Sequence, residues 1–526
     1  MSEAQGGPVP TGPVPPRVLR AAVAALAPHL SMLTELGARF AAAGHELALV
    51  GGPVRDALLG RTCQDLDLTT DATPEQTLAA VDGWADAHWD IGRAFGTIGL
   101  RKGEVVVEIT TYRTDRYDRA SRKPEVAFGA SLAEDLLRRD FTVNAMALRL
   151  PGLEFVDEHG GLADLAARRL RTPAAAADSF ADDPLRMMRA ARFAAALGLA
   201  VDPGVSAAMT DQAPTLAMVS AERVRDEFAK LLLTADPRPG LTLLVDTGVA
   251  QVFLPELPAL RLEVDEHHRH KDVYEHSLTV LVQAIALETT RSDSPPTGGP
   301  PPGSSHPGGP DDEAAAGAAY PPGPDLVVRL AALLHDIGKP VTRRFEKGGG
   351  VSFHHHELVG ARMATKRLTA LRFDKGTVQA VSRLVELHLR FHGYGGGAWT
   401  DSAVRRYVTD AGALLGRLHV LTRSDCTTRN PRKAARLART YDDLEARIAR
   451  LAAQERLDAM RPELDGHEIG ALLGIPPGPL VGQAYRYLLS VRLDEGPIGT
   501  HEASRRLLQW WAERSAPPAG GGDGSG

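Results

Sequence analysis

Residues 49–74, LVGGPVRDALLGRTCQDLDLTTDATP, constrain this chain more than any other stretch. Residues 46–50 are apolar enough for a buried strand. Gly51-Gly52 then permits a tight turn and close backbone approach to a ligand. Pro53 suits a first helical turn, so a short helix is predicted over 54–59. A helix N-terminus beside bare amides is a natural phosphate site. Arg55 adds a forked donor, which makes Gly52 and Arg55 candidate nucleotide contacts. In Asp65-Leu66-Asp67-Leu68, alternation puts both aspartates on one strand face and both leucines on the other. Paired carboxylates repel unless a cation lies between them, and hard oxygen ligands suit Mg²⁺. The competing reading is a half-exposed strand with two solvated aspartates.

Further along, residues 97–101 and 104–110 are predicted as a hairpin turning at Lys102-Gly103. Glu108 shares a face with Val106 and Thr110, and a carboxylate among valines is costly unless paired or metal-bound. Thr73-Pro74-Glu75-Gln76 is a capping box that opens a helix. Residues 112–134 are polar, basic and turn-rich, and are predicted as a mobile loop over the site. RRDFTVNA follows at 138–145, offering Arg138 and Arg139, or else a charged helix start. In ADDPLRMMRAARF (181–193), Pro184 fits a first helical turn and Asp182 or Asp183 its cap. Asp183 and Arg186 stand three apart and can face the same way, with Arg189 and Arg192 near that face. One reading is a cap plus a surface ion pair. The other is a base reader, since aspartate accepts from an exocyclic amine and arginine donates to a ring nitrogen.

GGPVRD followed by DLD, then RRDFTVNA, then DDPLR, resembles the family of enzymes that build and repair the CCA end of tRNA, shared with bacterial poly(A) polymerases (class II). The resemblance implies an α+β chain: a polymerase-β-like nucleotidyltransferase head, a mixed sheet with helices, followed by all-α neck, HD and C-terminal regions. It implies transfer from CTP and ATP to a tRNA 3′-hydroxyl with release of pyrophosphate. Asp65, Asp67 and Glu108 would hold two Mg²⁺. One ion would acidify the hydroxyl and the other hold the triphosphate. Gly52, Arg55, Arg138 and Arg139 would contact phosphates, and Asp183 and Arg186 would choose the base. ERV at 222–224, with Glu227 and Lys230, matches the family's next helical motif. The alternatives are a poly(A) polymerase with the same head, or an HD-type phosphohydrolase whose head only binds nucleotide.

A second constellation begins beyond Pro258: HHRHKDVYEH at 267–276, LAALLHDIGKP at 330–340, FHHHELVG at 353–360, and Asp425. Imidazoles with carboxylates suit transition metals. His276, His335, Asp336, His356 and Asp425 fall in the order of the HD phosphohydrolase signature, with His355 a rival for His356. His388 and His392 are read as exposed residues rather than further ligands.

The remaining features set bounds. At 526 residues the chain exceeds one core. The predicted segments are a disordered arm (1–17), the head (18–170), a helical neck (171–260), an HD domain (261–430) with a disordered insertion at 290–324, a helical region (431–514) and a disordered tail (515–526). Sixty lysines and arginines against 66 acids leave a formal charge of −6, so RNA contact needs local basic patches rather than a global field. Candidates are the arginines that punctuate 405–439. Two cysteines, Cys63 and Cys426, are too few for a disulfide framework and point to the cytoplasm. No apolar run is read as long enough to span a bilayer. The expected partners are tRNA, CTP and ATP, with no membrane and no DNA.

Overall fold

The computed structural model describes residues 16–63, 65–90, 93, 96–116, 125–128, 131–261, 272–292, 323–347, 351–394, 399–428, 430–455 and 461–515. Most of the predicted arm, most of the predicted insertion, residues 267–271 and most of the tail lie outside them, and Pro16 and Arg17 of the arm open a helix. The chain divides into two compact units, Met1–Pro255 and Glu256–Gly526.

The first unit is a mixed sheet with helices, followed by a helical segment. Helices α1 (Pro16–Leu26) and α2 (Leu30–Ala42) lead in. Strand β1 (Leu47–Val50) is buried throughout, as its sequence demands. Gly51, at φ +74°, turns the chain into α3 (Gly52–Leu58). Strand β2 is Asp65–Thr70, and α4 (Pro74–Ala80) starts on the Thr73–Gln76 capping box. Strands β3 (Ala87–Trp89), β4 (Thr97–Lys102) and β5 (Val105–Thr111) follow. Next come β6 (Arg113–Arg116), β7 (Glu125–Phe128), α5 (Leu132–Leu137), β8 (Ala147–Leu150) and β9 (Glu154–Val156). The main sheet runs β3-β4-β5-β2-β1-β8-β9. Only β2 and β5 pair in parallel within it.

Helices α6 (Gly161–Ala166), α7 (Ala176–Asp182), α8 (Leu185–Leu197), α9 (Pro203–Gln212), α10 (Ala221–Leu232), α11 (Arg238–Asp246) and α12 (Val249–Phe253) complete this unit. Helix α8 is the hub of the segment, with Met187, Met188, Ala190 and Ala191 fully buried.

Two sequence expectations change. The segment Arg20–Ala42 is long and apolar enough, by length and composition, to cross a membrane, with mean hydropathy 1.2. In the fold it is broken by a 3₁₀ turn at Ala27–His29, where Pro28 removes an amide. Its Leu33, Leu36 and Phe40 are fully buried, and Gly37 backs onto Leu150 and Pro151. The stretch 112–134 was read as a loop, yet β6 and β7 pair as an antiparallel ribbon. Its polar sequence gave no alternating signal for strands.

The second unit is largely helical: α13 (Val273–Ser292), α14 (Leu326–Leu334), α15 (Lys339–Thr342), α16 (His356–Ala370), α17 (Lys375–Leu387), α18 (Asp401–Ala411), α19 (Leu415–Ser424) and α20 (Pro431–Glu455). A buried ion pair, Arg329–Glu288 at 2.7 Å, ties α14 to α13. Helices α21 (Gly466–Leu473), α22 (Pro479–Glu495) and α23 (Thr500–Ser515) close over a small core of Leu464, Ile469, Ala484, Leu488, Ala503 and Leu507.

One glycine tests the packing of the first unit. A Cβ at Gly161 would lie 2.1 Å from the Thr142 carbonyl oxygen and 2.8 Å from Met146 Cγ. The obstruction is backbone, so it cannot swing aside. Gly161→Ala is expected to cost about 1–3 kcal/mol by overpacking, read as a lowered unfolding midpoint. Unchanged stability would contradict this packing.

Candidate functional site

The head site begins with strand alternation. Leu66 and Leu68 are each 1% exposed, while Asp65 and Asp67 face outward. Parallel pairing sets Glu108 of β5 directly beside Asp67. Across β4 the same row continues through Gly99 to Trp89. A Cβ at residue 99 would fall 2.1 Å from the Trp89 indole, so that glycine makes room for the ring. Sequence reading missed Trp89; the signal was a glycine interrupting a strand.

Desolvation, then the charges of Asp67 and Asp65, lift the Glu108 carboxyl above its ordinary range. Desolvation also lifts Asp67, helped by Asp65 and opposed by Arg139. Both residues are exposed by area, so the desolvation comes from a concave wall rather than enclosure. Carboxylates raised by desolvation and by neighbouring carboxylate charge are a donor set that lacks positive charge, and their oxygens fit a hard divalent cation.

Asp67 lines a cleft of about 390 Å³ with Arg138, Arg139, Asp182, Asp183 and Arg186. Arg139 reaches this wall from the end of α5, held by Asp135 at 3.1 Å. Its Nη1 would be 3.0 Å from a Cβ at Gly51. Asp183 Oδ1 accepts from the Leu185 amide at 3.1 Å, capping α8, and Oδ2 accepts from Arg223 at 2.9 Å. Arg186 donates to Ser179 Oγ at 2.8 Å and to the Arg138 carbonyl at 2.5 Å. Asp183 therefore caps the helix, as the plainer reading of the sequence required, and still lines the cleft. A carboxylate has about four lone-pair sites and a guanidinium five donors, so both keep capacity for a ligand.

Three predicted contacts lie elsewhere. Arg55 is 9% exposed and grips Asp56 at 2.9 and 3.0 Å and Asn144 Oδ1 at 2.6 Å. Arg189 donates to Asp140 at 2.8 Å and to Glu227 at 3.4 Å, and Arg192 to Glu227 at 2.6 Å. All three guanidiniums stand over the Phe193 ring, at 5.3, 5.4 and 4.2 Å. They join α3, the RRDFTVNA run, α8 and α10 into one network and do not line the cleft. Burial would raise the Asp140 carboxyl, but Arg189 and Asn144 outweigh it and hold it below its usual range. The sequence could not show this for Arg189 and Arg192, because their acidic partners lie 35 to 49 positions away.

The second unit gathers the other cluster. His276 Nε2 lies 3.0 Å from Asp425 Oδ1 and 3.5 Å from Asp336 Oδ2. His335 Nε2 lies 3.2 Å from Asp336 Oδ2, and His356 Nε2 3.2 Å from Asp336 Oδ1. His388 corrects the expectation of an exposed residue. It is 1% exposed, and its Nε2 is 3.9 Å from Asp336 Oδ1. The sequence misled because His388 closes α17 next to LRFH, which reads as polar surface. Burial, then the His335 charge, pushes its imidazole down to about 3. His355 is 77% exposed and stays outside the cluster. The side chain of His392 lies outside the described residues. Gly338 allows the close approach of α16, since a Cβ there would meet the His356 carbonyl at 2.2 Å.

Comparisons with known proteins follow this division. The family described as "Poly A polymerase head domain" matches residues 47–171, "Probable RNA and SrmB- binding site of polymerase A" matches 198–260, and "HD domain" matches 273–460. The chain is 33% identical over 476 residues to an A-adding tRNA nucleotidyltransferase of Deinococcus radiodurans, covering 89% of this chain and 96% of that one. It is 32% identical over 476 residues to a CC-adding tRNA nucleotidyltransferase of Thermus thermophilus, covering 88% and 93%. A CCA-adding enzyme of Streptococcus gordonii is 42% identical over 226 residues, 43% of this chain and 55% of that enzyme. In fold, the chain is similar to the Bacillus stearothermophilus CCA-adding enzyme in complex with CTP, with TM-score 0.58 and 24% identity over 93% of this chain and 98% of that one.

The ion network makes a stability prediction. Glu227 is 4% exposed and accepts from two guanidiniums. Removing one side of a buried charge set costs about 3–5 kcal/mol, so Glu227→Ala should lower the urea midpoint of the full chain accordingly. Asp226, 56% exposed and paired only with Arg225 among the described residues, is the control. Asp226→Ala should cost under about 1 kcal/mol. Equal losses in the two variants would show that the network contributes nothing special.

Proposed function

The chain belongs to the class II CCA tRNA nucleotidyltransferase and poly(A) polymerase family with an HD domain, and on that premise we propose that it builds and repairs the terminal CCA of tRNA from CTP and ATP. That it is a nucleotidyltransferase acting on tRNA 3′ ends follows from the family. The observation that carries the finer reading is the cleft, which sets Asp67 opposite both an arginine pair and Asp183 with Arg186.

The 3′-hydroxyl oxygen attacks the α-phosphorus, the bond to the β-phosphate bridge breaks, and pyrophosphate leaves. Asp65, Asp67 and Glu108 form the carboxylate wall that would hold two Mg²⁺. When bound, those ions supply Lewis-acid stabilisation of the developing charge. Arg138 and Arg139, with the backbone at Gly52, take the triphosphate. Arg55, Arg189 and Arg192 position these groups through the network around Phe193 rather than touching nucleotide. Asp183 accepts from the exocyclic amine that cytosine and adenine share, and Arg186 donates to the neighbouring ring nitrogen. UTP and GTP present a carbonyl in place of that amine. For tRNA phosphates, Arg432, Lys433, Arg436 and Arg439 sit exposed along the first turns of α20, a local basic stripe of the kind the acidic net charge requires.

A second reading is favoured by the relatives that match along most of their length: one is described as A-adding and one as CC-adding. The chain would then perform one part of the synthesis. Incubation with tRNAs lacking one, two or three terminal nucleotides, with each nucleotide alone and together, separates these cases once the ends are sequenced. Completion to CCA supports the first reading. Addition confined to A or to CC supports the second, and a homopolymer of A points to a poly(A) polymerase.

Two variant sets test the residues. Asp183→Ala should relax discrimination against UTP more than it slows CTP use, because each buried polar mismatch costs about 1–3 kcal/mol. An unchanged UTP-to-CTP ratio in the folded variant would remove Asp183 from base reading. Asp67→Ala should abolish nucleotide addition and spare any phosphohydrolase activity, and His335→Ala should do the reverse. Loss of both activities with either variant would overturn the separation of the two centres.

A further inference from the structure

We propose that Trp89 and Arg101 form the seat for the 3′ end of the acceptor RNA. The indole stacks on the terminal base and the guanidinium takes a backbone phosphate. That placement rests on assigning the triphosphate to Arg138 and Arg139, and it comes from the order of residues across the sheet. Parallel pairing sets Glu108 beside Asp67, and the antiparallel ladders carry the row on through Gly99 to Trp89. Directly paired residues share a face. Trp89 therefore stands on the carboxylate face, on the edge strand of the sheet. The cleft with Arg138, Arg139, Asp183 and Arg186 opens beside Asp67, and no described residue of β3 or β4 lines it.

Nucleotidyl transfer is an in-line displacement, so the attacking and leaving oxygens lie on opposite sides of the phosphorus. With pyrophosphate leaving on the arginine side of Asp67, the 3′-hydroxyl enters from the Glu108 side. The strand that carries it then lies over β4 and β3. Gly99 clears that ground for the indole. A Cβ there would lie 2.1 Å from Trp89 Cε2 and Nε1 and 2.7 Å from Cζ2. The nitrogen-side edge of the ring thus rests on bare backbone, one strand step from Glu108, or about 5 Å. A single nucleotide bridges that span between its 3′-oxygen and its own base.

The fold makes little other use of this ring. Of the five tryptophans, Trp84 lies under Lys102, Trp399 meets Tyr394, Trp510 stacks on Tyr487, and Trp511 meets Trp510. Trp89 is half-buried and has no ring or cation partner among the described residues. Arg101 completes the seat. It follows Gly99 by two positions in β4, so it faces the same way. Its row runs through Val106 to Asp65, parallel to the row of Trp89. It is exposed and makes no ion pair or side-chain hydrogen bond among the described residues. An aromatic ring beside an uncommitted guanidinium suits single-stranded RNA, the ring taking the base and the cation its phosphate.

The test uses the full chain and two synthetic acceptor RNAs of a length that the parent extends. They differ only in the last nucleotide, complete in one and lacking its base in the other. With the complete end, Trp89→Leu keeps apolar bulk but no ring, and should raise the KM for RNA about tenfold, the scale of one lost base–aromatic stack. The KM for nucleotide should not move, and Trp89→Phe should recover most of the loss. With the abasic end, the parent should already show the raised KM, and Trp89→Leu should add nothing. Equal losses on both ends would mean that Trp89 only covers the sheet edge, and would overturn the proposal. So would a change confined to the KM for nucleotide. Indole emission gives a second readout if Trp89→Leu fails to fold. The complete RNA should quench the parent more than the abasic one does, and the difference should vanish in Trp89→Phe; equal quenching refutes the stack. Arg101→Gln should raise the KM for both RNAs and flatten its salt dependence by about one phosphate contact. An unchanged salt slope removes Arg101 from the seat. Arg139→Gln should raise the KM for nucleotide alone. If it does not, the triphosphate assignment falls, while the abasic comparison still decides Trp89.

Discussion

Arg189 is the constraint on which the first unit depends. Its guanidinium is shared between Asp140, from the run that opens with Arg138 and Arg139, and Glu227 on α10. Burial works against its charge, but the two acids outweigh it and raise its affinity for the proton. A buried cation can be kept only if its partners are fixed, and fixing them sets α8 relative to the RRDFTVNA run. Asp183 and Arg186 ride on the first turn of that helix. The α8 edge that carries them is thus held in register with the carboxylate strand by a bond that touches neither. Phe193 adds a ring over which the guanidiniums of Arg55, Arg189 and Arg192 stand.

The two centres show two solutions to the same problem of concentrating ligands. In the head, a parallel strand pair sets carboxylates side by side on an open wall, where oxygen donors and solvent access suit a hard ion that keeps some of its waters. In the second unit, helix ends converge on an enclosed point, and backbone carbonyls aim the imidazoles. Neither arrangement could be exchanged for the other. A sheet row presents side chains at fixed steps along one face, whereas helix termini can aim a ligand from several directions.

What was legible in the sequence was local. Period-two alternation gave Asp65 and Asp67 their face, the glycine pair gave the turn into α3, and the capping box gave α4. The hairpin expected to turn at Lys102-Gly103 formed one residue later, with Lys102 in β4 opposite Val105 and the turn at Gly103-Glu104. The family resemblance pointed to the residues that now share a cleft, but not to the role of each arginine. Arg55, Arg189 and Arg192 read as phosphate or base contacts because arginine near a motif offers no sign of its partner. The acids of Arg189 and Arg192 are brought in by tertiary packing, as is Asn144 against Arg55. His388 failed for the same reason, since burial at a helix end depends on what the other helices leave uncovered. Trp89 was invisible because its meaning lies in Gly99, one strand away.

If Asp183 and Arg186 read the base as proposed, their hydrogen-bond logic also sets a limit on what they can do. An amine donor beside a ring-nitrogen acceptor is common to cytosine and adenine, so this pair can reject U and G without ranking C against A. If the chain adds the full CCA, as proposed, the order of addition must be imposed by something that differs between a tRNA ending in discriminator base, in C, or in CC. That difference is one of length and shape at the 3′ end. The β6–β7 ribbon follows directly from β5, the strand that carries Glu108, and pairs only with itself among the described residues. The ribbon therefore stands apart from the register of Asp67 with Glu108, which the main sheet fixes.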